Sequence, residues 1–153
     1  MQKAKNLRNY VLILFVLITN LSFKSQLYVA NGNLTVFVKN IRNDKGQIGF
    51  CLFNKSLGFP NHTEKAMLCA FIKVKGNSAE YTFTNIPFGT YAVCVFHDEN
   101  ADKKINSNII GIPKEGIGVS NKAKGHFGPP KFDDAKFNFS DTGQTITISL
   151  SYL

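Results

Sequence analysis

The sequence lacks an apolar run long enough to cross a bilayer. A spanning helix needs about 20 residues, and the longest run here, "YVLILFVLI" at 10–18, has nine. It also lacks a block of five or six like charges, so no basic tract of the kind that grips nucleic acid is present. None of the three cysteines, Cys51, Cys69 and Cys94, has CxxC spacing, which removes the common zinc-site and dithiol motifs. A serine elbow, an HExxH pair and a phosphate-binding loop are absent, and with them the activities those motifs carry. Beyond residue 25 no segment keeps a 3.6-residue apolar period, so a helical bundle is excluded.

What is there begins with charge. Lys3, Lys5 and Arg8 precede the nine-residue apolar run, and polar "TN" and "LSFKSQ" follow it. That order is the pattern of a secretory signal, whose apolar part is typically about 7–15 residues long. We expect a signal peptide over 1–25, cut after Ser25 (Ser22 is the alternative), and a single domain over 26–153. Losing the four cations of the signal lowers the formal charge from +8 to +4, a mildly basic surface. The first cysteine is Cys51, so no mature N-terminal cysteine exists to carry a lipid. The expected location is the periplasm or the extracellular space, with no membrane span once the signal is gone. Export implies an oxidising compartment. Cys51 in "FCLF" and Cys94 in "VCVF" sit in apolar strands, and they read first as buried free thiols. A Cys51–Cys94 bridge is the alternative.

The mature region alternates strand-like runs with turns. "NLTVFVK" (33–39), "QIGFCLF" (47–53), "MLCAFIKVK" (67–75), "AEYTFTN" (79–85), "TYAVCVFH" (90–97) and "QTITISLSY" (144–152) read as strands. "GN" (76–77) reads as a hairpin turn joining the third to the fourth. "NKSLGFPNHTEKA" (54–66) is a polar excursion with room for one helical turn. The expected fold is all-β, an antiparallel sandwich of about seven strands, transthyretin-like or immunoglobulin-like. "FTNIPFGTYAV" loosely matches the turn-and-tyrosine pattern of such sandwiches: Pro87 presets the turn, and Gly89 allows a positive φ. Residues 108–139 show no steady period. They are rich in glycine and proline, but their isoleucines and phenylalanines make them too apolar for a disordered linker. They read as one long ordered loop laid across the sandwich.

The stretch "HDENADKKINSN" (97–108) follows a strand and sets oxygen-bearing side chains at alternate positions. Asp98, Asn100 and Asp102 occupy the first, third and fifth places of a D-x-N-x-D loop. The Lys104 carbonyl would be the seventh and Asn106 the ninth. Calcium takes six to eight such oxygens. The loop is not an EF-hand: a strand precedes it, Lys103 replaces the sixth-place glycine, and Ile109 replaces the twelfth-place glutamate. Two close carboxylates imply a calcium Kd on the order of 10⁻⁴–10⁻³ M, and Glu115 would add a third if the long loop folds back. The competing reading is a plain connection in which Asp and Asn bond the local backbone.

The block "YAVCVFHDENADKKINSNIIGIPKEGIGVSNKAKGHFGPPKFDDAKF" closely resembles the signature of a secreted bacterial family catalogued as domain of unknown function 2141. The resemblance extends over roughly residues 33 to 150. It departs at Asp102-Lys103, where the family usually has Asn-Gly, and at Asn106, where it usually has Asp. The resemblance implies an exported sandwich-like domain and no assigned activity. The functional expectation is a non-catalytic binding or structural module acting on an unidentified envelope or extracellular ligand. The alternative is a small exported hydrolase using His97 or His126 with Asp98 or Glu99 as an acid–base pair.

Overall fold

The computed structural model describes residues 30–125 and 128–152. The signal segment read at 1–25 and His126 therefore lie outside the described residues. Among the described residues, eight strands and one short α-helix occur in the order β1 (Asn31–Lys39), β2 (Gln47–Phe53), β3 (Leu68–Lys73), β4 (Ser78–Pro87), β5 (Gly89–Asp98), β6 (Ile117–Val119), α1 (Phe132–Ala135), β7 (Phe137–Phe139) and β8 (Gly143–Ser149). They form an all-β sandwich. One sheet has the order β4-β1-β8, and the other runs β3-β2-β5-β6 with β7 pairing the start of β5.

Alternation explains the inner layer. Leu34, Val36 and Val38 of β1 are fully buried, while their neighbours Asn33, Thr35 and Phe37 are not. Ile48, Phe50 and Leu52 of β2 and Val93 and Val95 of β5 meet them from the opposite sheet. Unlike β1, β2 and β5 are buried on both faces, which is why they read as continuous apolar runs. Their outer face, with Cys51, Phe53, Cys94 and Phe96, packs under a second layer that includes Phe59, Val119, Phe132 and Ala135. Gly49 makes room in that layer: a Cβ there would stand 2.5 Å from the Phe96 ring, which meets Phe71 edge-on at 6.1 Å.

Five expectations need correcting. The sandwich is not wholly antiparallel, because β8 runs parallel to β1 with Val36 opposite Ile146 and Val38 opposite Ile148. The parallel pairing keeps the apolar side of β8 on the core face. The hairpin at 76–77 exists only as a Lys75–Ser78 bridge. β3 pairs with β2 and β4 with β1, so this turn crosses from one sheet to the other. The described part of segment 108–139 is not one long loop: it contains β6, a 3-10 turn at Ser120–Lys122, α1 and β7.

The fourth correction concerns sulfur. The disulfide joins Cys51 to Cys69, and Cys94 is the buried free thiol. All three stand in one row, since Cys51 is opposite Cys69 on one side and opposite Cys94 on the other. The Cys51–Cys69 Cα separation of 4.2 Å marks the narrow, non-hydrogen-bonded kind of pair, in which side chains approach closely. The backbone groups of Cys51 then point toward β5. That makes Cys51–Cys94 the wider, hydrogen-bonded pair, about 5.5 Å between Cα atoms. Burial pushes the Cys94 thiol up to about 12.

Between β4 and β5 the chain only bends, at Phe88, and Gly89 does not take the positive φ expected of it. Tyr91 is buried and its hydroxyl donates to the Pro87 carbonyl at 2.8 Å, which ties the start of β5 to the end of β4. β5 then runs straight to Asp98 and delivers the 97–108 stretch to one end of the sandwich.

Candidate functional site

Asp98 is the last residue of β5 and is fully buried. Its Oδ1 accepts the Asp102 N–H at 3.1 Å. Its Oδ2 accepts the Lys103 N–H at 2.8 Å and the Gln47 side-chain amide at 2.7 Å. A carboxylate at this place folds the following five residues back over itself, the arrangement that Asp favours in turns. Ala101 and Lys103 take positive φ of 59° and 64° in doing so.

The next three predicted ligands converge. Asn100 Nδ2 lies 3.0 Å from both Asp102 Oδ2 and Asn106 Oδ1, and Asn106 Nδ2 lies 3.0 Å from the same Asp102 oxygen. Asn100 Oδ1 accepts the Asp102 N–H, and Asp102 Oδ1 accepts the Lys104 N–H. The Asn106 amide, then the Lys104 N–H and the Asn100 amide, hold the Asp102 carboxyl below its ordinary value. Lys104, expected to contribute its carbonyl, enters this network through its N–H.

Glu115 does fold back onto the loop. It is buried, with Oε1 accepting the Glu99 N–H at 3.1 Å and Oε2 the Asn106 N–H at 3.0 Å. Burial pushes its carboxyl up, the two N–H donors oppose that, and the charges of Asp98 and Asp102 push it up further. Three carboxylates thus stand in one another's fields at the end of β5. Among the described residues, no group of three or more His, Cys, Asp and Glu side chains is disposed to hold a metal by itself. Any cation would need the amide oxygens of Asn100 and Asn106 as well.

The donors suit a hard cation in type, being carboxylate and amide oxygens. Turning the Asn100 and Asn106 amides about their last bond exchanges Nδ2 for Oδ1 and brings their two oxygens beside Asp102 Oδ2, three oxygens in all. The exchange costs Asn100 its bond to the Asp102 N–H. Lys103 does not oppose a cation closely, because its ammonium sits over the Phe71 ring at 5.6 Å.

His97 lies on the other side of the strand end and is fully buried. Nε2 faces the Lys45 carbonyl at 2.8 Å, so it carries the hydrogen and donates. Nδ1 lies 2.9 Å from the Tyr152 hydroxyl, which accepts the Arg42 N–H at 3.1 Å. The Arg42 guanidinium stacks over the Tyr152 ring at 4.5 Å and grips Glu99 with two hydrogen bonds of 2.8 and 2.6 Å. Asn43 adds a third at 2.7 Å. The Arg42 bonds first, and then the Asn43 amide, push the Glu99 carboxyl down to about 2.

Both ring nitrogens of His97 are therefore engaged, and the ring is closed to solvent. Arg42, Asn43, Gln47 and Tyr152 were not legible as part of this region. "NDKG" (43–46) reads only as a turn and Gln47 as the start of a strand, and Tyr152 lies 55 residues from His97.

A family model described as "Uncharacterized protein conserved in bacteria (DUF2141)" matches residues 36–147. The chain belongs to this family. No curated protein and no solved structure matches it. The match takes in the whole cluster at the end of β5 from Arg42 to Glu115, leaving only Tyr152 beyond it. Among the described residues no helix is long and apolar enough to cross a membrane.

Proposed function

We propose that this member of the family is an exported, non-catalytic binding module whose 98–115 loop takes a weakly held calcium ion. The loops over 98–134 form its recognition surface, for a ligand in the envelope or outside the cell. One observation carries the calcium reading: Glu115 returns to the 98–106 loop and places a third carboxylate in the field of Asp98 and Asp102. Like charges so placed repel, and a divalent cation removes the repulsion. Export rests on the n-region and apolar run of residues 1–25.

The non-catalytic reading is supported by the state of His97. A general base needs a free nitrogen within reach of substrate, and both of its nitrogens are bonded inside the fold. The hydrolase alternative then rests on His126 alone.

Thermal melting with and without calcium tests the reading. A ligand at about 10 to 100 times its Kd stabilises the folded state by about 1.4–2.7 kcal/mol. In about 10 mM calcium, against EDTA, the melting temperature is expected to rise by several degrees. Asp102→Ala should abolish the rise, and Asn61→Ala should not. No rise in the wild-type chain refutes the calcium site, and the loop is then the backbone-bonded turn. A hydrolytic turnover lost in His126→Ala would overturn the non-catalytic reading.

A further inference from the structure

Beyond Asn106 the chain makes a small hairpin whose tip is apolar and faces solvent. Ile109 is 104% exposed and Ile110 75%. Exposed aliphatic residues are ordinary when scattered singly, but these two are adjacent and sit on a hydrogen-bonded turn. The Lys114 N–H donates to the Asn106 carbonyl at 2.9 Å, and Ser107 pairs with Pro113. At the tip, Asn108 Oδ1 accepts the N–H groups of Ile110 and Ile112 at 3.1 and 2.9 Å. Gly111, at φ +81°, donates its N–H to the Asn108 carbonyl. The base of the hairpin is tied to buried Glu115 through the Asn106 N–H.

Charge along this stretch is mostly positive, although the exposed Asp102 stands at the base of the hairpin, bonded to Asn106. Between residues 103 and 132 the chain carries six lysines and one acid, and that acid is the buried Glu115. Lys104, Lys114, Lys122 and Lys124 are exposed. Lys122 and Lys124 line a groove of about 900 Å³ together with Ile110, Ile112, Pro129 and Pro130, and no acid lines it among the described residues. The rest of the described chain balances its charges far more evenly, so the excess is concentrated here.

We infer that the 108–112 tip docks this module on an anionic lipid surface, the isoleucines entering the headgroup boundary and the lysines meeting lipid phosphates. Side chains that project from a convex tip suit a soft surface that can admit them. A basic surround behind them supplies the long-range attraction, and neither contribution alone holds a protein firmly on a bilayer. The inference rests on the reading of the chain as a binding module, and it is independent of whether calcium occupies the neighbouring loop.

The test is cosedimentation of the mature chain with phosphatidylcholine vesicles containing about 30% phosphatidylglycerol, and with vesicles of phosphatidylcholine alone. Binding is expected to the anionic vesicles only, and to weaken as salt shortens the reach of charge. Ile109→Ser with Ile110→Ser should weaken it at least about tenfold. Lys104→Glu with Lys114→Glu should remove most of its salt dependence. The isoleucine pair should alter the melting temperature little, because the tip isoleucines have almost no buried contacts.

The chain has no tryptophan, so Ile109→Trp gives a single reporter. Its emission should shift to the blue on anionic vesicles and be quenched by brominated acyl chains. Absence of binding to anionic vesicles by the folded wild-type chain overturns the inference, as does an unshifted emission from the introduced indole on bound vesicles. A calcium-dependent rise in melting temperature would survive that failure, so the two readings fall separately.

Discussion

Replacing Asp98 by alanine is the sharpest probe of what organises the end of β5. Asp98 is fully buried and accepts three hydrogen bonds, from the Asp102 and Lys103 N–H groups and the Gln47 amide. A hydrogen bond to a charged group contributes roughly 1.5–3 kcal/mol net. Asp102 and Lys103 are exposed, so water can replace part of what their N–H groups lose, and about 1 kcal/mol for each of the three bonds is the reasonable scale. Asp98→Ala is then expected to cost about 3 kcal/mol. For a domain of this size 1 kcal/mol corresponds to about 4 °C, so the melting temperature should fall by about 12 °C. The assay is thermal or urea unfolding in EDTA, so that calcium plays no part. Asp98→Asn keeps the shape and one acceptor oxygen and should lose about half as much. If Asp98→Ala melts within about 2 °C of the wild type, the carboxylate does not organise the loop.

Three further outcomes are expected. Glu99 has a depressed folded value, about 2, so its contribution is complete above its unfolded value near 4.5 and is lost as pH falls from there toward 2. Arg42→Met should flatten the loss of stability over that acid window, by about 1 kcal/mol once solvent screening at the half-exposed Arg42 is allowed for; an unchanged pH profile would sink the assignment. Gly46, at φ +66°, would place a Cβ 2.0 Å from the Asp98 carbonyl oxygen, so Gly46→Ala should destabilise by more than about 2 kcal/mol in urea melts. Cys94 should resist alkylation in the native chain at about pH 8 and react only on unfolding, whereas after reduction Cys69, exposed on the outermost strand, should label first. Rapid native labelling of Cys94 would contradict its burial.

Much of this protein is legible in its sequence because a strand records its own environment. The alternation of Leu34, Val36 and Val38 with polar neighbours, and the unbroken apolar runs of β2 and β5, follow from which faces are buried, and that information is local. The turn chemistry around Asp98, Asn100 and Asp102 is local as well: an acceptor side chain and the N–H groups it bonds lie within five residues. Pairing is not local. The 76–77 turn reads as a hairpin, yet β3 and β4 join different sheets, because β2 and β1 each needed a partner on that edge. The parallel β1–β8 contact joins residues more than 100 positions apart, and no pattern within either strand states its direction. The same holds for sulfur. Cys51 faces both Cys69 and Cys94, and only the sheet register decides which pair is narrow enough to bond. Around the site, the sequence by itself named the loop and its oxygen-bearing side chains. Tertiary structure alone decided that Glu115 returns to them, and that His97 is held between Lys45 and Tyr152, because those contacts are closed by packing between segments that share no local signal.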